Sequence, residues 1–193
     1  MSRALSGLLV LAPLLCAGCV FNDAPPPRYY APPSALATDD DPAPAVRTTG
    51  HPVRLRRVRA AGYIGEQVTW RGSDVQHGLY EQRRWTDVPT RYLERAMDVA
   101  LDRTVGVRRV ESGRVPTLDL DLVSFDEVLA PTHEADVQVV AVLRDAKQDT
   151  LFQRTFGARR PIADADPDSV ARAMGAALDD VVVQIANQVE ASL

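Results

Sequence analysis

Cys16 and Cys19 are the only thiols in the chain, and they bracket the run Cys16-Ala17-Gly18-Cys19. A cysteine that follows two small residues at the end of an apolar stretch suits lipid attachment. Small side chains let the backbone lie close to a signal peptidase, the thiol takes a diacylglyceryl group, and the freed amino group takes a palmitate-type acyl chain. Cleavage before Cys19 fits this chemistry. Cleavage before Cys16 would put bulky Leu15 at the scissile position. The competing reading is an ordinary signal peptide whose cysteines happen to fall near the cut. Elsewhere the sequence offers little chemistry. His51, His77 and His133 have no ligand-like spacing, and no zinc pattern of Cys and His exists. Asp119 and Asp121 lie two apart and share a strand face, which any half-exposed strand also shows. Ser73-Asp74 lacks the glycines of a nucleophile elbow, and the glycines stand singly rather than in a phosphate-binding loop. The sequence therefore reads as a non-enzyme with no cofactor and no metal.

The elements around Cys19 agree with that chemistry. Arg3 supplies the positive n-region, and residues 4–15 are apolar except for Ser6, Gly7 and Pro13. Such a run is too short to span a bilayer, which takes roughly 20 residues, but it suits a signal-peptide core. Residues 1–18 are thus expected to be removed. Each buried acyl CH₂ contributes roughly 0.8 kcal/mol, so two or more chains on Cys19 make a lasting anchor. Val20 follows, where an Asp tends to retain a lipoprotein in the inner membrane of a Gram-negative cell. Its absence points to the periplasmic face of the outer membrane.

Residues 19–51 read as a lipidated tether. They carry Pro25, Pro26, Pro27, Pro32, Pro33, Pro42 and Pro44 with Asp39, Asp40 and Asp41, and few large apolar side chains to offset ordering entropy. At ~3.1 Å per residue, roughly 30 residues in polyproline geometry reach up to about 90 Å. Arg28-Tyr29-Tyr30 is the local exception, able to dock as a short strand. Cleavage takes one of 22 basic residues, leaving 21 against 26 acidic and a net charge near −5. That balance argues against nucleic acid, whose affinity comes mostly from cations on phosphates. The run Arg54, Arg56, Arg57, Arg59 reads as the solvated face of an edge strand, with contact to anionic lipid headgroups or an acidic partner as the alternative.

Residues 52–193 read as one folded domain. Strands are expected over 53–61, 67–71 and 78–85; residues 107–110 form a short Arg-rich stretch before a loop, and a perfect Leu/Asp alternation over 117–122 follows. Strands over 137–143 and 151–156 follow, joined by short turns as in a meander. Asp87-Val88-Pro89 and Asp166-Pro167 are helix-start signals. Leu93, Met97, Ala100 and Leu101 form one apolar stripe, and Val170, Met174, Ala177, Leu178, Val181, Ile185 and Val189 form another. The expected fold is α+β, a mostly antiparallel sheet with two amphipathic helices packed on one face. Trp70, Tyr80 and Trp85 cluster around one hairpin and are the candidate partner interface, with core packing as the plain alternative.

At these residues the chain resembles the ABC-type transport auxiliary lipoproteins, which accompany MCE-type lipid transport systems. Arg28-Tyr29-Tyr30 after Cys19 looks like the family's early Tyr-Tyr strand. Tyr80-Glu81-Gln82-Arg83-Arg84-Trp85-Thr86-Asp87-Val88-Pro89 is similar to its aromatic-Arg-Trp run leading to a proline and a helix. The resemblance implies a non-enzymatic partner of an MCE-type substrate-binding protein and ABC transporter subunits, moving phospholipid or other hydrophobic molecules between membranes. A homo-oligomer is compatible with it. Two alternatives remain: an outer-membrane assembly or secretion accessory lipoprotein paired with a barrel, and a lipid-binding carrier.

Overall fold

The computed structural model describes residues 25–36 and 49–193; Cys19 and the expected signal segment lie outside them. In chain order the elements are β1 (Arg28–Tyr30), β2 (His51–Ala60), β3 (Gln67–Arg71), β4 (His77–Trp85), α1 (Pro89–Arg103), β5 (Val107–Arg109), β6 (Thr117–Val128), β7 (Glu134–Arg144), β8 (Thr150–Pro161) and α2 (Pro167–Ala191).

β6 organises the sheet. One edge pairs antiparallel with β7 along its whole length, and β7 pairs antiparallel with β8. The other edge is shared. β2 runs parallel to its first half, from Arg54 opposite Thr117 to Ala60 opposite Leu122. β3 runs parallel to its last residues, from Thr69 opposite Asp126 to Arg71 opposite Val128. β2 and β3 are thus one line of chain broken at residues 61–66. β4 adds antiparallel to β3, β1 adds parallel to β4, and β5 adds parallel to the start of β2.

The sheet is therefore mixed, which corrects the expectation of a mostly antiparallel one. The cause is α1. Short turns permit only antiparallel neighbours, but after β4 has run back antiparallel to β3, a helix of 15 residues carries the chain to the start of β2, and β6 takes the other edge of the β2–β3 line. β5 and β6 then run in the same direction as β2. The α+β class holds, with the antiparallel part confined to the β6–β8 meander and the β3–β4 hairpin.

Both helices bury one stripe against the sheet. From β6 come Leu118, Leu120, Leu122 and Phe125, and from β7 Val137, Val139, Ala141 and Leu143, all buried. They face Leu93, Met97 and Leu101 of α1 and Val170, Met174, Leu178, Val181 and Ile185 of α2. Each such side chain contributes about 1.5–3 kcal/mol on full burial. The helix starts follow their proline signals. Asp166 caps α2, its carboxylate accepting from the Asp168 and Ser169 amides. At α1 the N-cap is Val88, and Asp87 just before it accepts from the Val88 amide and from Arg95.

β6 is longer than its clean alternation suggested. A bulge between Leu122 and Ser124 shifts the register, and Phe125 continues the buried row that Leu122 began. The bulge lies beside the break between β2 and β3. There the Tyr63 hydroxyl reaches the Val123 carbonyl at 3.1 Å.

Candidate functional site

The three aromatics of the proposed interface have separate fates. Trp85, at the end of β4, is 2% exposed and meets Phe125 edge-on with ring centroids 5.4 Å apart. It is a core side chain with almost no surface to offer. Trp70 lies across Gly78 of the neighbouring strand, so closely that a Cβ there would stand 2.3 Å from its ring. Glycine at that position is what lets the indole lie flat. Tyr80 is partly buried, with the Arg83 guanidinium 4.1 Å above its ring. Its phenol is pushed up to about 12, chiefly by burial and then by the nearby Glu127 carboxylate. Glu127 is buried and also meets His133 Nε2 at 2.7 Å and Arg83 Nη1 at 3.4 Å.

On the opposite face of the sheet lies a polar cluster that the sequence did not announce. Asp126 of β6 and Asp136 of β7 are cross-strand neighbours, and both are buried. Asp136 accepts from Arg71 Nη2 at 2.6 Å, from Arg159 Nε at 3.2 Å and from Gln138 Nε2 at 3.0 Å. Ser124 Oγ stands 2.6 Å from Asp126 Oδ2, and the Tyr63 hydroxyl 3.2 Å from the same oxygen. Burial and the Asp126 charge push the Tyr63 phenol up to about 12, so it stays a neutral donor. Among the described residues, Asp126 Oδ1 has no hydrogen-bond partner. Two arginines thus offset two carboxylates, and the arrangement fastens β3 and β8 across the β6–β7 pair. The residues 123–128 read Val-Ser-Phe-Asp-Glu-Val, without alternation, because the bulge resets which side chains face inward. Only a structure reveals the pairing.

The other charged candidates find structural partners. Arg56 Nε donates to Asp119 at 2.9 Å, and Arg59 reaches Asp121 at 3.4 Å. The aspartates of the Leu/Asp alternation therefore form a ladder with the basic run of β2. His77 packs edge-on against Tyr63 at 5.6 Å, and the backbone of His51 donates to the Gly106 carbonyl. Among the described residues, no group of three or more His, Cys, Asp or Glu is placed to hold a metal ion. No helix among them is long and apolar enough to cross a membrane.

Residues 28–36, expected within the tether, lie on the domain. β1 sets Tyr29 opposite Arg84 and Tyr30 opposite Trp85, with Tyr30 against the core. The chain then passes over α2 at Gly175, the only kind of residue that tolerates it: a Cβ there would stand 1.9 Å from the Pro33 carbonyl oxygen. Ser34 Oγ donates to Asp179 Oδ1 at 2.6 Å, and the Ala35 amide to Oδ2 at 2.7 Å. Leu36 ends on a shallow cavity of about 410 Å³ between the ends of α1 and α2, beside Val183 and Ala186. The Arg-Tyr-Tyr motif thus continues into a strap that clasps the terminal helix.

This order of elements recurs in known proteins. Residues 35–186 match the model of the ABC-type transport auxiliary lipoprotein component family. The chain belongs to that family. No curated protein matches the sequence. Among solved structures, one from Xanthomonas campestris is similar with a TM-score of 0.71 at 22% identity, covering 86% of this chain and 96% of its own. An uncharacterized protein gives 0.67 at 13% identity, covering 85% and 99%. A hypothetical protein from Chlamydia trachomatis gives 0.52 at 8% identity, covering 75% and 98%. At these identities the likeness is one of fold. Family membership makes this chain a lipoprotein component that accompanies ABC transport systems.

Proposed function

We propose that the chain is a non-enzymatic, lipid-anchored accessory that holds an MCE-type substrate-binding protein and its ABC transporter at the outer membrane. Its cargo class is phospholipid or another hydrophobic molecule moved between the two membranes. The observation that carries this reading is the family match over residues 35–186. It is supported by the position of Cys19 after a signal-like segment and by a buried polar cluster in which two arginines hold Asp136. The anchor sits on Cys19, and Tyr80 and Trp70 are the aromatic contacts left for a protein partner once Trp85 is buried.

A photoreactive residue at Tyr80 in living cells tests it. Crosslinking to an MCE-type subunit is the expected result. Crosslinking to an outer-membrane barrel instead would favour the assembly-accessory reading. No adduct, with the transporter present and intact, would count against both. A carrier would differ from either by retaining lipid through purification, visible by native mass spectrometry. The filled layer between helices and sheet argues against such retention.

A further inference from the structure

We infer that the open face of the sheet at the β1 edge lies against the bilayer that holds the anchor, a step that rests on the proposed lipidation of Cys19. Ten residues separate Cys19 from Tyr29, and at most about 35 Å of extended chain can join them. β6 alone, with its twelve residues, is about 40 Å long. The docked strap therefore holds β1 within less than one sheet length of the membrane, where a free 33-residue tether would not.

The surface at that place has the composition a headgroup region favours. Tyr29 is 59% exposed and stands opposite Arg84 in the β1–β4 register. Arg84, Leu79 and Tyr63 line one shallow cavity of about 260 Å³, with Glu66 at its border. Leu79 is 46% exposed and Tyr63 is 40% exposed. Past them, at the tip of the β3–β4 hairpin, Val75 is 93% exposed. Two tyrosines, an aliphatic side chain and a cation on one face match the amphipathic chemistry of a bilayer interface, where tyrosine puts its ring toward acyl chains and its hydroxyl toward water. Arg84 has no ion-pair partner among the described residues, which leaves it available to lipid phosphates, whereas Arg28 stands opposite Arg83 on the other face of the β1 edge. Most other arginines of the sheet are held by carboxylates, as at Asp119, Asp121 and Asp136. Val105, also exposed, lies at the opposite end of the sheet, where β6 begins.

Loss of the signal segment and acylation of Cys19 leave no free thiol, so single cysteines can carry a fluorophore. Leu79→Cys, Val75→Cys and Val105→Cys chains, expressed with native acylation, are reconstituted into phosphatidylethanolamine–phosphatidylglycerol vesicles with a nitroxide-bearing lipid as quencher. Quenching several-fold stronger at positions 79 and 75 than at 105 is expected. Adding Tyr29→Asp and Arg84→Glu should remove the difference while the protein still floats with the vesicles. Equal quenching at all three positions, or the strongest at 105, overturns the orientation. So does a label at 79 that ignores lipid but is shielded when transporter subunits are added, which would make the patch a protein interface. A wild-type chain that fails to float overturns the anchored reading itself, and the orientation with it.

Discussion

Trp85→Ala removes a ring packed edge-on against Phe125 in a fully buried layer, and the expected cost is about 3–5 kcal/mol. Tyr29→Ala, beside the core-packed Tyr30 but 59% exposed itself, is expected to shift stability by no more than about 0.5 kcal/mol. Urea midpoints measure both, and a mild effect at Trp85 would contradict its core role. The sequence shows that these aromatics cluster but not which of them is covered, since burial depends on where β1 and Phe125 arrive. Asp136 makes a second contrast. Asp136→Ala strands Arg71 and Arg159 beside Asp126, with an expected cost of about 3–5 kcal/mol, whereas joint replacement by Arg71→Met and Asp136→Leu should recover much of it. The Asp166 carboxylate is held below its usual range by the amides it caps. A carboxyl depressed in the folded state contributes stability above its unfolded value of roughly 3.9 and loses it as the pH falls through the folded value. Asp166→Ala should therefore lower the urea midpoint at neutral pH and make no difference at strongly acid pH.

At the scale of elements, the strap over α2 is the most direct test of how the N-terminal segment is held. Gly175→Ala places a methyl group where the Pro33 carbonyl lies, so residues 31–36 must lift. Alanine is also the better helix former by about 1 kcal/mol. The variant should keep or slightly raise global stability while the Ala35 and Leu36 amides exchange faster with deuterium. Unchanged exchange there would mean the strap is not seated on Gly175. Strand and helix positions were largely legible, because alternation and 3.6-residue stripes fall on half-buried elements. The parallel pairings were not. Which edge a strand joins is decided by the crossover of α1 and by the bulge that lets β2 and β3 share β6, and neither leaves a periodic trace. The strap was missed for a related reason. A proline-rich composition describes an extended chain equally well whether it is solvated or laid along a helix that carries a glycine at the crossing.

For the whole molecule, these findings shorten the leash. The expected tether reaches about 90 Å, but with residues 28–36 clasped to β4 and α2, at most about 35 Å of chain separates Cys19 from the fold. On the proposed lipidation of Cys19, a domain held so close would work as a fixed post at the membrane rather than a long-range arm. Cys19→Ala should abolish acyl labelling and membrane fractionation while leaving the domain's unfolding midpoint unchanged; retention in the membrane fraction would remove the anchor from the account. The central claim, association with an ABC transport system, is tested most directly by purifying the full, acylated chain from native membranes in mild detergent and quantifying what accompanies it. The expected companions are an ATPase, a permease and an MCE-type subunit in constant ratio to the lipoprotein. Recovery of the chain alone, or with a barrel and no transporter subunit, would contradict it.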